Sequence, residues 1–260
     1  MTRDRLDQEL VRRRLFPTRS AARSAIKMGL VRVAGLAAPK PASRVDGGVS
    51  IEVDDEAMRV VSRGAYKLAA ALEEFRVSVA GRTAIDVGSS TGGFTQVLLE
   101  AGAATVTAVD VGRDQLHPTL RSDPRVIVRE GTNVRDIPVA ALGGPFAFVA
   151  ADLSFISLRA VAGDLVRLGE EDADWLILVK PQFEVGRRHL SKDGVVRDRG
   201  RRGQAVVDVI DSYAAVGLVT RGVMRSPIPG GSGNVEALLW LRREGEPIVS
   251  LDAFKVLAND

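Results

Sequence analysis

The chain has 260 residues, carries 36 Lys/Arg against 33 Asp/Glu, is 45% hydrophobic and contains no cysteine. That length suits a small module joined to a larger one, and the missing cysteines exclude disulfides, thiolate metal sites and cysteine nucleophiles. No apolar run approaches the ~20 residues of a membrane-spanning helix, and the opening MTRDRLDQEL lacks the apolar core of a signal peptide, so a soluble cytoplasmic protein is expected.

The net charge of +3 is unevenly spread: residues 1–53 hold eleven Lys/Arg and five Asp/Glu, residues 54–260 twenty-five and twenty-eight. On this count all the excess positive charge lies in the head. A basic head on a slightly acidic body points to a polyanionic partner, and nucleic acid is favoured over a membrane because no basic amphipathic anchor with bulky apolar residues accompanies it. From Arg3 to Leu15 the apolar residues Leu6, Leu10, Val11 and Leu15 fall at helical spacing. After Pro17, Thr18 or Ser20 can cap a second helix with Ala22, Ala25 and Ile26 inward, Arg19, Arg23 and Lys27 outward, and Gly29 at its end. Leu30–Val33 alternates like a strand, and the turn Asp46-Gly47-Gly48 precedes a second alternating run, Val49–Val53.

The segment RLDQELVRRRLFPTRSAARSAIKMGLVRVAG with its trailing DGGVSIEV resembles the S-four type RNA-binding domain. The resemblance implies a helix pair that lays cations on folded RNA, reading shape and phosphate rather than base sequence. Arg5, Arg13, Arg19, Arg23 and Lys27 are the candidate RNA contacts.

Residues 55–63 read as a polar linker between a head of residues 1–54 and a second domain of residues 64–260, which starts with a helical pattern at Tyr66–Leu72. Strand-like runs then alternate with helical stretches at Thr83–Val87, Val106–Val111, Val126–Arg129, Phe146–Ala151, Trp175–Val179 and Ala237–Arg242, which predicts a doubly wound α/β sheet. Pro227–Asn234, PIPGGSGN, reads as a loop, and its part Gly230–Asn234 is either a flexible rim over a pocket or only a connection.

The first of these strands runs into AIDVGSSTGGFT, a glycine-rich turn leading into a helix. Its spacing matches neither the dinucleotide G-x-G-x-x-G nor a phosphate-binding loop, so a cofactor without phosphates fits better. The turn resembles the first motif of class I methyltransferases, which implies a Rossmann-like sheet and S-adenosyl-L-methionine, with Asp86, Gly88, Ser89, Ser90, Thr91, Gly92, Gly93 and Phe94 bordering the methionine part. Asp110, twenty-four residues after Asp86 at the end of the next strand, is positioned to accept from the ribose hydroxyls. After the third strand, Asn133 or Val134 stands where such enzymes hold adenine, and an ordinary turn is the plainer reading.

Several RNA methylation chemistries separate on the residues. Methylation at pyrimidine carbon five commonly uses a cysteine, which is absent, and the Asn/Asp-Pro-Pro-Tyr/Phe turn of amine methylation is replaced by Asp152-Leu153-Ser154-Phe155. A ribose hydroxyl needs a nearby base and in-line alignment. Lys67, Asp152, Lys180 and Glu236 stand at corresponding element ends, in SRGAYKL, DLSFISL, LVKPQFE and GNVEALLWL, and resemble the K-D-K-E tetrad of FtsJ-like ribose 2′-O-methyltransferases. The resemblance assigns Lys180 as base, Lys67 as the neighbour that lowers its pKa by like-charge repulsion, and Asp152 and Glu236 as orienting groups; Asp152 also borders the cofactor. Phe94, Phe155 and Phe183 are candidates for base stacking, with core packing favoured for at least two of them. His117 and His189 form no metal constellation, and no metal is expected.

These motifs occur in one order over nearly the whole chain, which is thereby similar to the TlyA family of rRNA 2′-O-methyltransferases. That similarity implies a cytidine in 23S rRNA of the 50S subunit as target, 16S rRNA of the 30S subunit as well for members with a full N-terminal extension, and susceptibility to capreomycin. Neither membrane nor DNA is an expected partner. A non-catalytic ribosome-binding factor, a haemolysin-like protein and a small-molecule methyltransferase are the competing classes.

Overall fold

Runs rich in β-branched residues, each followed by a helical stretch, cannot bury both faces of a strand without helices on either side, and that requirement shapes most of the molecule. The computed structural model describes residues 3–16, 19–27, 29–38, 40–54, 60–230, 232–248 and 250–258, with backbone alone at 20, 21, 24, 27, 250 and 251. The chain divides into two compact units, Met1–Arg63 and Gly64–Asp260.

In the first unit the strands are β1 (Arg3–Arg5), β2 (Val31–Val33), β3 (Leu36–Ala37), β4 (Arg44–Asp46) and β5 (Ile51–Val53). β1 pairs with β4, and β2 lies between β3 and β5. The helices Leu6–Arg12 and Arg19–Lys27 pack together over Leu6, Leu10, Ala22, Ala25, Ile26 and Val31. The first helix is shorter than the Arg3–Leu15 expected from periodicity. Its leading residues are drawn into the β1 ladder, Arg3 opposite Asp46 and Arg5 opposite Arg44. It stops because Arg14 turns left-handed at φ +60°, letting the Leu15 N–H reach back to the Leu10 carbonyl at 3.0 Å. Of the two caps offered for the second helix, Thr18 lies outside the described residues, and the helix begins at Arg19, before Ser20.

The second unit holds a seven-stranded sheet of β6 (Thr83–Val87), β7 (Thr105–Asp110), β8 (Val126–Glu130), β9 (Phe146–Ala151), β10 (Gly169–Val179), β11 (Val219–Arg225) and β12 (Ala237–Arg242). Their order is β11-β12-β10-β9-β6-β7-β8. β6 to β10 run parallel to one another, and β12 is antiparallel to both β10 and β11. Trp175 to Val179 is buried throughout, as a central strand covered on both faces requires. β11 escaped the sequence reading because arginines and Gly222 interrupt its apolar pattern, and its register slips between Thr220 and Gly222. From β6 the chain moves outward through β7 and β8, then returns to β9 on the other side of β6. The crevice of this sheet therefore opens between the ends of β6 and β9.

Candidate active site

Strand register decides which loop residues meet. Val87 stands opposite Ala151, so Gly88 and Asp152 leave the sheet side by side, and the Asp152 N–H donates to the Val87 carbonyl at 3.0 Å. Val179 of β10 stands opposite Ala237 of β12, and because β12 runs the other way, Lys180 and Glu236 emerge at the same edge. Helix Gly64–Phe75, packed on β11 and β12, brings Lys67 to them.

The four charged residues meet as two ion pairs. Lys67 Nζ lies 2.5 Å from Glu236 Oε2, with both side chains buried. Lys180 Nζ lies 2.5 Å from Asp152 Oδ1 and donates to Ser154 Oγ at 2.9 Å. Each lysine stands against a carboxylate, so the like-charge repulsion expected between them is offset at both ends. Gln182 Nε2 donates to the other Glu236 oxygen at 3.2 Å. A Cβ at Gly230 would come within 2.3 Å of Glu236 Oε1, so the loop before β12 needs glycine there to close on the pair.

Beside the tetrad, the glycine turn brings backbone close to Asp152. At Gly88, φ +88°, a Cβ would lie 2.6 Å from the Asp152 carbonyl oxygen. Asp86 is fully buried; its Oδ2 accepts from Thr95 Oγ1 at 2.6 Å, and its Oδ1 has no hydrogen-bond partner among the described residues. Burial pushes this carboxyl up to about 7; the charges of Asp152 and Asp110 add to the rise, and hydrogen bonds from Thr95 oppose it. Ser89 Oγ is likewise buried without a partner among the described residues. Ser90 and Thr91 are exposed, whereas Gly92, Gly93 and Phe94 are buried at the start of helix Gly93–Glu100. Asp110 accepts from the N–H groups of Ser90 at 2.8 Å and Gly112 at 2.7 Å, which ties the two turns together. Asn133 is exposed and accepts from the Arg135 N–H at 3.2 Å, while the Val134 side chain belongs to the core.

Comparison with known proteins agrees with this architecture. Residues 60–243 match the FtsJ-like methyltransferase family and residues 4–51 the S4 domain. The 16S/23S rRNA (cytidine-2'-O)-methyltransferase TlyA of Mycobacterium tuberculosis is 49% identical over 95% of this chain and 93% of its own. Hemolysin A of Brachyspira hyodysenteriae is 35% identical over 90% of this chain and 98% of its own. A solved structure from Streptococcus thermophilus that carries a hemolysin name superposes with a TM-score of 0.77 at 37% identity, covering 99% of this chain and 95% of that one. The chain belongs to the TlyA family of FtsJ-like methyltransferases.

This TlyA family member also holds site residues that the sequence reading passed over. Ser154 and Gln182 fasten the two ion pairs. Glu184, buried behind them, accepts from Ser157 Oγ at 2.5 Å, from the Leu158 N–H at 2.7 Å and from Arg159 Nε at 3.3 Å, so the loop after β9 is clamped to the loop after β10. Glu130 accepts from the N–H groups of Asp114, Gln115 and Leu116 and pairs with Arg121, which shapes the turn after Asp110; the Arg121 hydrogen bond, backed by these amides, holds its carboxyl down to about 2. Ser154, Gln182 and Glu184 lie inside the motif blocks and Glu130 just past the third strand, and nothing local marks any of them. Of the three phenylalanines, Phe94 is buried and Phe183 half-buried, but Phe155 is 91% exposed at φ +66°, its ring 5.3 Å from that of Phe183.

In the head, the candidate RNA contacts divide. Arg5 grips buried Asp7 with two hydrogen bonds of 2.9 and 3.0 Å, and Arg19 and Arg23 reach the same carboxylate at 3.3 and 3.9 Å. Arg13 is committed to the protein itself, donating to Glu9 at 2.7 Å, the Val49 carbonyl at 2.8 Å and the Gly47 carbonyl at 2.9 Å. The side chain of Lys27 lies outside the described set.

Proposed function

We propose that the chain transfers a methyl group from S-adenosylmethionine to the 2′-hydroxyl of a cytidine in ribosomal RNA, 23S rRNA in the 50S subunit and 16S rRNA in the 30S subunit, in the cytoplasm. The observation that carries this reading is the pair of Lys–carboxylate contacts at 2.5 Å, set beside a glycine turn at the carboxyl ends of parallel strands. The nearly full-length likeness to the TlyA of M. tuberculosis supports the substrate.

The residues present fit the cofactor. The turn DVGSSTGGFT carries no Lys or Arg, while buried Asp86 Oδ1 and Ser89 Oγ are acceptors without partners among the described residues. That combination suits a cationic amino-acid nucleoside better than a phosphate. Asp86 and the Gly88–Gly93 turn would hold its methionine part, Asp110 its ribose hydroxyls, and Asn133 with the Val134 backbone its adenine. When bound, S-adenosylmethionine supplies an electrophilic methyl group.

As an ammonium paired with Asp152, Lys180 must first give up its own proton; the neutral Nζ can then receive the proton that the 2′-hydroxyl loses as the new O–C bond forms and the methyl–sulfur bond breaks. Asp152, 2.5 Å away, stabilises the ammonium that results, and Ser154 fixes the direction in which the amine points. Lys67, neutralised by Glu236 and steadied through Gln182, positions the target ribose. Phe155 offers an exposed aromatic face for the target base. A haemolytic role draws on the names of relatives alone, and among the described residues no helix is long and apolar enough to cross a membrane.

The test is tritiated methyl transfer to purified 30S and 50S subunits, followed by nuclease digestion and mass spectrometry. A 2′-O-methylcytidine is expected. A base-methylated product would overturn the tetrad assignment, and no transfer to subunits or free rRNA would overturn the enzyme reading.

A further inference from the structure

The acidic sum of the catalytic unit conceals a basic stretch. RRHLSKDGVVRDRGRR, residues 187–202, holds seven Lys/Arg against two Asp. Arg187, Arg188, Lys192, Arg197 and Arg201 are all exposed. The two aspartates are each engaged, Asp193 with Arg197 at 2.8 Å and Asp198 with Arg201 at 3.3 Å. The side chains of Arg187 and Lys192 have no ion-pair or hydrogen-bond partner among the described residues.

Arg188 and Arg201 are held against one histidine. Arg188 Nε donates to His189 Nε2 at 2.9 Å, and Arg201 Nη1 approaches the same nitrogen at 3.2 Å. One neutral ring nitrogen offers a single lone pair, and of the two guanidinium groups that share it only Arg201 has a carboxylate as well, Asp198. Like charges crowded in this way, on a surface with few carboxylates, are relieved by an anion from outside, and guanidinium forks match phosphate oxygens bidentately.

The stretch is also fixed to the active site. It leaves the short helix Pro181–Glu184 that follows Lys180, and buried Asn234, two residues before Glu236, sews it back. Asn234 Oδ1 accepts from the Val196 N–H at 3.0 Å and its Nδ2 donates to the Gly194 carbonyl at 3.0 Å. Of the two readings offered for the loop before β12, the described part is a fastened connection rather than a flexible rim; Gly231 lies outside the described residues.

We infer that Arg187, Arg188, Lys192 and Arg201, with His189 between two of the guanidinium groups, form a phosphate-gripping surface for the RNA strand flanking the target ribose. The inference rests on RNA being the substrate. On RNA binding, a backbone phosphate takes the guanidinium N–H groups that now compete for His189. This surface adds to whatever the basic head contributes and needs no base-specific contact, since phosphates set register while bases carry sequence.

The test compares the full-length protein with its R187A/R188A/K192A variant on purified 50S subunits. Salt titration of binding should show a log–log slope shallower by about 2, from roughly 0.7–0.9 per lost phosphate contact, and KM for subunits should rise about tenfold or more at low salt. Affinity for S-adenosylmethionine and kcat at saturating subunits should hold, and R187K/R188K, which keeps the charges but loses the forks, should keep most of the slope while binding more weakly than the parent. An unchanged slope and KM in the triple variant overturn the inference. If the triple variant loses cofactor affinity, the single variants R187Q and K192Q decide, each expected to reduce the slope by about 0.7–0.9. Failure of the parent to methylate any rRNA is a different result, one that removes the substrate reading itself.

Discussion

The head and the 187–202 stretch are both rich in arginine, yet they treat their cations in opposite ways. In the head, Asp7 and Glu9 are buried and each gathers several guanidinium groups, Asp7 from Arg5, Arg19 and Arg23 and Glu9 from Arg12 and Arg13. In the 187–202 stretch the aspartates are exposed and each holds one arginine, while Arg188 shares a histidine with Arg201. A buried anion makes its cations part of the fold, because an unpaired buried carboxylate is expensive. A cation cluster with no buried anion beneath it remains available to a ligand. Availability therefore depends on where the carboxylates sit and not on how many arginines a region has.

The tetrad tests this distinction most severely, since its lysines also sit on carboxylates. If the Lys180–Asp152 pair were a fixture of the Glu9 kind, Lys180→Ala would cost stability; as a reacting pair, it should cost turnover. Methyl transfer by Lys180→Ala should fall by about 10²–10⁴, the usual contribution of a positioned base, while melting temperature and cofactor affinity hold. Full transfer by this variant would remove Lys180 as the base. A melting point lowered by many degrees would move the pair into the structural class.

Glu9 supplies the next largest effect, now on stability. Hydrogen bonding from Arg12, joined by Arg13 and opposed by burial, holds its carboxyl down to about 2. A depressed pKa stabilises the fold above the ordinary glutamate range near 4.3, and that stabilisation is lost as pH falls from there through about 2. With Arg12 largely exposed, the contribution is on the order of 2 kcal/mol after screening. Amide exchange of helix Leu6–Arg12 should be faster in Glu9→Gln than in the parent at neutral pH, and the two should converge as pH approaches that lower limit. Curves that stay parallel would show that the guanidinium pair is not what fixes this helix.

How much of this was legible in the sequence follows the range of each interaction. β9 and the β6 turn were legible because FAFVAA and DVGSSTGG carry their own period and punctuation, and Lys180 and Glu236 because each abuts such a strand. β11 was not, since Gly222 and flanking arginines break its pattern. Gln182, Glu184 and Ser154 matter through partners 54, 26 and 26 residues away, and no local spacing announces such pairs. The same blindness made Arg13 look free. Periodicity placed it on the outside of a helix, but the carbonyls of Gly47 and Val49 that it binds lie 34 and 36 residues on. Charge summed over a whole domain failed for a related reason: acidic residues elsewhere in the unit cancelled the 187–202 stretch on paper without neutralising it in space.

Arg13 and its neighbour Arg14 give the smallest but cleanest separation. Arg13 is fastened at three points, whereas Arg14 is exposed and its side chain has no partner among the described residues. Arg13→Gln should cost the head about 1 kcal/mol, since it strips hydrogen bonds from buried Glu9 and two carbonyls. Its RNA affinity should then fall only as the folded fraction falls. Arg14→Gln should leave head stability unchanged, and if unmatched cations are the ones that meet RNA it should reduce the salt slope by about 0.7–0.9. Amide exchange and salt-dependent binding on the same two proteins read both effects. Swapped results, with Arg14 stabilising and Arg13 binding, would mean that a buried carboxylate can present a guanidinium to RNA as readily as it can retain one, and the contrast between the two basic regions would dissolve.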